Sequence, residues 1–210
     1  MAFQASCSGS GCATALNLHN FHEVHGHLPS ATQTVDGFQH SWRAVVNASV
    51  DNALFRDEYS FEESWDSPGN RAAACMAEIT FGCGYDRVRP GGELPETAVP
   101  RLAYVAVVGP ECAIRPEGLP PRSLSDMPRE TIVLVETRRS DVEWTRPFDL
   151  DYAELVRDRA YAESVIGGPH PGGGHYIQAD GKRGRINDIG LDELLRRCVV
   201  SPIELKPVDH

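Results

Sequence analysis

Apolar residues recur along this chain with two different periods, which divide it into a helical front and a strand-rich back. Over residues 13–25 the spacing predicts a helix, with Leu16, Phe21 and Val24 on adjoining faces and Gly26 placed to end it. After the Leu28-Pro29-Ser30 turn, Ser41 reads as the N-cap of a second helix over residues 42–58. Its apolar face is Trp42, Val45, Val46, Val50, Leu54 and Phe55. A short helix over residues 71–77 follows the polar stretch 62–70.

The pattern then shortens. Residues 79–81, 102–108 and 131–136 read as strands, bounded by Gly109-Pro110, by Pro128 and by the charged turn Arg138-Arg139-Ser140-Asp141, with residues 91–100 as loop. Glu136 closes the third run, where a strand-end carboxylate ordinarily faces water. Residues 150–163 favour a helix, 191–197 a short amphipathic helix and 199–205 a last edge strand.

The stretch 166–186, IGGPHPGGGHYIQADGKRGRI, combines both kinds of signal. His170 opens a glycine-rich loop that can continue neither a helix nor a strand. Residues 175–179 and 182–186 then flank Asp180-Gly181, a dipeptide that tolerates positive φ and predicts a hairpin. The loop and hairpin between them could return the His170 ring to the Asp180 carboxylate. The competing arrangement has Asp180 bonding its own turn while His170 packs beneath the loop. Together the elements predict an α+β fold in which helices supply the apolar faces that cover a mainly antiparallel sheet.

Composition narrows this picture. A length of 210 residues holds one domain with a full core. Residues 1–11, small and polar, are expected to be a disordered lead, with residues 12–210 as the domain. A net charge of −10 and a pI near 5.2 argue against nucleic acid, because Arg138-Arg139 and Arg196-Arg197 are too short to make a basic stripe. No apolar run reaches the roughly 18 residues of a membrane span, and the first residues lack the features of a signal peptide. The six cysteines show no Cys-x-x-Cys spacing. An even count suits an oxidising compartment, but six thiols allow about 15 pairings, and free buried thiols suit the sequence equally.

Chemistry is sparse. His19, His22 and His25 recur every third residue and span an arc of roughly 120°, so two of them could share a metal. Glu23 projects elsewhere and nothing nearby completes a tetrahedron, so no metal is expected. The carboxylates and carbonyls of residues 62–70 lack the spaced ligands of a calcium loop. Trp144 and Asp149 fall in a loop. The chain has no phosphate-binding loop, dinucleotide fingerprint, nucleophile elbow or His-Glu-x-x-His motif. Gly172-Gly173-Gly174 lacks the lysine and helix start of an anion cradle, and no spacing selects Cys83 or Cys112 with a histidine as a nucleophilic pair.

With these residues laid out, the chain resembles the bacterial prepilin-like proteins classed as a domain of unknown function and once labelled a solute-binding family. Their C-terminal signature is His, nine residues, then Asp-Gly, matched here by His170, Asp180 and Gly181. Similar stretches include ALNLHNFHEVHGHLP, HSWRAVV, SWDSPGNR, YVAVVGP, TIVLVE, VEWTRPFDL and LDELL. The resemblance implies the fold of type IV pilins and pseudopilins, an N-terminal helix packed on an antiparallel sheet with long loops. It implies a non-catalytic structural or interaction protein of a pilus-like or secretion-associated cell-surface system, without a cofactor. Its partners would be other pilin-like or secretion-system proteins, and its location the periplasm or cell surface. The alternative is a soluble extracytoplasmic module that binds a small ligand or divalent cation through loops around His170, Asp180 and Trp144. The sequence departs from the family where the leader cleavage site and apolar anchoring helix would precede Ala13, which suits either a shortened chain or a soluble member.

Overall fold

The N-terminal helix extends further back than its apolar spacing suggests. The computed structural model describes residues 2–49, 53–76, 81, 98–139, 141–168 and 173–200. In it α1 runs Ala2–His25, so the disordered lead expected at residues 1–11 is instead, from Ala2 onward, the first turns of this helix. Small residues permit this, because Gly11 and Thr14 are buried and let the helix lie close to the sheet. Thr14 Oγ1 also donates to the Ser10 carbonyl one turn back, at 2.9 Å. The buried stripe is Ala15, Leu18 and Phe21, whereas Leu16 and Val24, expected on the apolar face, are 61% and 72% exposed. Gly26, at φ +76°, ends the helix and donates its N–H to the His22 carbonyl at 2.7 Å.

A two-stranded hairpin follows, β1 (Thr32–Val35) and β2 (Phe38–Ser41), turned at Asp36 and Gly37, both at positive φ. Ser41 caps α2 (Trp42–Ser49) as expected, its Oγ accepting from Ala44 N–H at 3.3 Å. The helix predicted over residues 42–58 is described as α2 and α3 (Ala53–Glu58), and Val50 lies outside the described residues. Trp42, Val46 and Phe55 are buried, while Leu54 faces solvent. α4 (Pro68–Met76) begins three residues before Arg71. The polar stretch ahead of it wraps around the buried Asn70, whose Oδ1 accepts from Ser60 N–H and whose Nδ2 donates to the Ser60 and Ser64 carbonyls, all within 2.8–2.9 Å.

The two apolar runs of the back half become the middle of a sheet. β3 (Tyr104–Val108) and β4 (Ile132–Glu136) pair antiparallel, with Tyr104 opposite Glu136 and Ala106 opposite Leu134. β4 is buried at every position and β3 at all but its last, which is why their sequences run apolar without alternation. β5 (Leu150–Asp151) joins β3 in parallel. After α5 (Tyr152–Arg157) and α6 (Arg159–Val165), β6 (His175–Gln178) adds to β4 and β7 (Arg183–Arg185) to β6, both antiparallel. The order β5-β3-β4-β6-β7 is mainly antiparallel, and the class is the α+β expected.

Two helix predictions need correction. Residues 150–163 split because Asp151 and Asp158 each stop what precedes them and cap a new helix, their carboxylates accepting from Glu154 and Tyr161 N–H at 2.8 and 2.9 Å. α7 (Ile186–Arg197) starts directly after β7 and bends at Gly190, φ +75°. The predicted last strand shows only Val199, bridged to Cys112, among the described residues. Thr80 and residues 91–97 lie outside them. Among the described residues no helix is long and apolar enough to cross a membrane. The core sits between sheet and helices, with Ala15 and Leu18 of α1 facing Leu134, Ile177 and Ala179.

Candidate functional site

One polar point of the interior lies where β4 ends beside the start of β6. Register puts Val135 opposite Tyr176, so Glu136 falls next to His175, and both are buried. Glu136 Oε2 accepts the His175 backbone N–H at 2.9 Å and stands 3.0 Å from Nδ1 of the ring. Tyr104 on β3 lies directly opposite Glu136, and burial followed by the charge of Glu136 pushes its phenol well above the ordinary range. The expectation that Glu136 meets water is thus overturned. Its partner comes from a strand 39 residues later in the chain.

The described residues flanking the glycine loop lie beside this pair. Gly167 N–H donates to the Glu136 carbonyl at 2.9 Å, and Gly174 accepts from Ile186 N–H at 2.9 Å. A Cβ on Gly174 would stand 2.6 Å from Gly168 N and 2.7 Å from Gly167 Cα. The two ends of the loop therefore cross at a neck that admits only glycine. Arg138 reinforces it by donating from Nε to the Ile166 carbonyl at 3.1 Å. His170 itself lies outside the described residues.

Asp180 bonds its own turn: Oδ1 accepts Lys182 N–H at 3.0 Å and Oδ2 meets Lys182 Nζ at 2.9 Å. The Lys182 bonds hold its carboxyl below the ordinary range. Gly181 takes φ +79°, as an Asp-Gly hairpin requires. Trp144, expected in a binding loop, is 2% exposed. Its Nε1 donates to the Ala74 carbonyl at 3.1 Å and its ring stacks on Phe81 at 5.4 Å, so a core position replaces the expected ligand contact. His19, His22 and His25 do not converge. His22 Nε2 lies 2.8 Å from Ser123 Oγ, His25 packs on Phe21 at 4.2 Å between centroids, and His19 faces the sheet near Gly181. Among the described residues no three His, Cys, Asp or Glu side chains form a metal-sized group.

A second buried polar centre escaped sequence reasoning. Arg43 donates to the carbonyls of Trp144, Arg146 and Phe148 and to Asp149 Oδ1, at 2.7–3.0 Å. Asp149 Oδ1 also accepts from Trp42 Nε1 at 3.1 Å and Ala106 N–H at 2.8 Å. Burial pushes the Asp149 carboxyl up, against the pull of Arg43 and these donors. The sequence signal was an arginine four residues before an asparagine on a helix that also carries an apolar face. His40 is similarly enclosed, Nδ1 at 2.8 Å from Tyr59 Oη and Nε2 at 3.0 Å from the Phe61 carbonyl. Burial lowers its proton affinity.

Chemically, these groups tie strands and loops together across long stretches of sequence. A histidine oriented by a carboxylate has the form of a general base; Cys112 and Cys198 are buried near the end of α7, Cys75 is on α4, and Cys12 is on the exposed side of α1, near Tyr104. Compared with known proteins, the chain matches no family model, no curated protein and no solved structure.

Proposed function

We propose that this chain is a non-catalytic structural or interaction protein with a pilin-like build, serving a pilus-like or secretion-associated system at the cell surface. The observation that carries the reading is α1, a 24-residue helix laid along a mainly antiparallel sheet through Ala15 and Leu18. Its opposite side leaves Leu16 and Val24 in solvent, open to a neighbouring helix. The inward-facing polar centres support the same reading, since Glu136, His175, Arg43 and Asp149 make ties within the fold.

The test is a photo-crosslinking amino acid placed at Leu16 or Val24 in cells, with adducts identified by mass spectrometry. Adducts to a second copy, or to proteins carrying a prepilin leader, are expected. Absence of adducts at both positions, together with one-to-one binding of a divalent cation or small metabolite in calorimetry, would replace this reading with the binding-module one.

A further inference from the structure

The end of α7 returns to the turn after β3 and brings two buried cysteines into one neighbourhood. Cys112 pairs with Val199 as an antiparallel bridge, and Val200 N–H donates to the Glu111 carbonyl at 2.8 Å. Cys198 directly precedes that bridge, with its N–H bonded to the Leu195 carbonyl at 3.1 Å. Partners across such a bridge stand about 4.5–5.5 Å apart at Cα. Cys198 stands one residue from the bridge partner Val199, and the two sulfurs are near enough that, after burial, the charge of Cys112 raises the Cys198 thiol. Gly109 makes room, since a Cβ there would meet Cys112 Sγ and Tyr152 Cβ at 3.2 Å each. Both cysteines are fully buried, and both are thiols in this structure.

We propose that Cys112 and Cys198 are a covalent modification site, joined by a disulfide when the chain folds under oxidising conditions, fastening the end of α7 to the turn that follows β3. The oxidant is a disulfide-bearing reagent of the glutathione class. The Sγ–Sγ bond forms as the reagent's S–S bond breaks, and the two thiol protons and two electrons leave with the reagent as two thiols. Burial pushes the Cys112 thiol up to about 12 and the Cys198 thiol well above its ordinary range, so the folded dithiol is a poor nucleophile and the bond is made during folding. Of the other cysteines whose side chains are described, Cys12 is exposed on α1 and Cys75 lies on α4.

The experiment refolds the reduced chain in a buffer of reduced and oxidised glutathione, blocks free thiols by alkylation and maps linked peptides by mass spectrometry. A Cys112–Cys198 link should dominate. The oxidised protein should melt several degrees above the same protein kept in reductant, with the difference lost in Cys198→Ala. Alkylation of both thiols after refolding, or linkage of either to a different cysteine, would overturn the proposal. So would a linked pair with an unchanged melting temperature, because the bond would then fasten nothing. Should Cys198→Ala fail to fold, the peptide map and the paired melts of the unaltered chain decide the matter.

Discussion

Gly11 lies against the ring of Tyr104, and a Cβ at that position would stand 2.6 Å from Cζ and 2.7 Å from the phenol oxygen. This contact sets how closely α1 approaches β3. In an exposed helix interior Gly→Ala is worth about 1 kcal/mol of stability. Here Gly11→Ala should instead cost about 1–3 kcal/mol, through overpacking of a filled interface. Urea unfolding of the two chains reads the sign directly, and a gain would show that α1 does not bear on the ring.

Removing the Glu136 carboxylate should be costly because it deprives a buried backbone N–H of its acceptor. Glu136→Ala is expected to lose about 1–3 kcal/mol. Glu136→Gln, which keeps an acceptor oxygen, should lose less. A double-mutant cycle with His175→Ala should give a coupling of at least about 0.5 kcal/mol in denaturant titrations, since the side chains touch. Additive losses would contradict the contact.

Arg43 is the sharper case. Arg43→Met leaves the buried Asp149 charge without its counter-ion and should cost about 3–5 kcal/mol. Arg43→Lys should recover only part of that, because one ammonium cannot serve four acceptors spread over residues 144–149. Guanidinium unfolding measures both variants. Full recovery by lysine would show that charge alone, and not the guanidinium fork, holds the centre.

His40 predicts a pH dependence with a definite sign. Burial lowers its proton affinity in the folded chain, opposed by its bond to the Phe61 carbonyl. The unfolded chain therefore binds more protons as pH falls through the ordinary value of 6.5. The contribution is whole above that pH and declines below it, towards the lowered folded value. Between about pH 7.5 and about pH 5 the urea midpoint should fall further in the unaltered chain than in His40→Asn. Equal slopes would remove His40 from the acid response.

How far the sequence could be read depended on whether each signal was local. The Asp180-Gly181 hairpin was legible because its short loop, Ala179 to Gly181, is closed by bonds between neighbours in the chain, and β3 and β4 because unbroken apolar runs must be covered on both faces. The same Asp-Gly signal stood at residues 36–37 and went unread, since the flanking TQTV and FQHS are largely exposed and carry little apolar content. Asp151 and Asp158 were equally local and marked the break in the helix predicted over residues 150–163. Glu136, Arg43 and Trp144 were misplaced or missed for a different reason. Each is buried by partners 39 to 106 residues away, and periodicity carries no information about a polar pair whose halves lie on different elements.

The Arg43–Asp149 tie also has a consequence for the order of synthesis. Its two halves are separated by 106 residues. At about 5–20 residues per second on a ribosome, the guanidinium waits roughly 5 to 20 s for its acceptors to be made. Until then α2 has no way to bury that charge, and its Trp42 face must stay open or be held by something else. The front of the chain therefore reaches its final packing only after the short loop near residue 149 has been made.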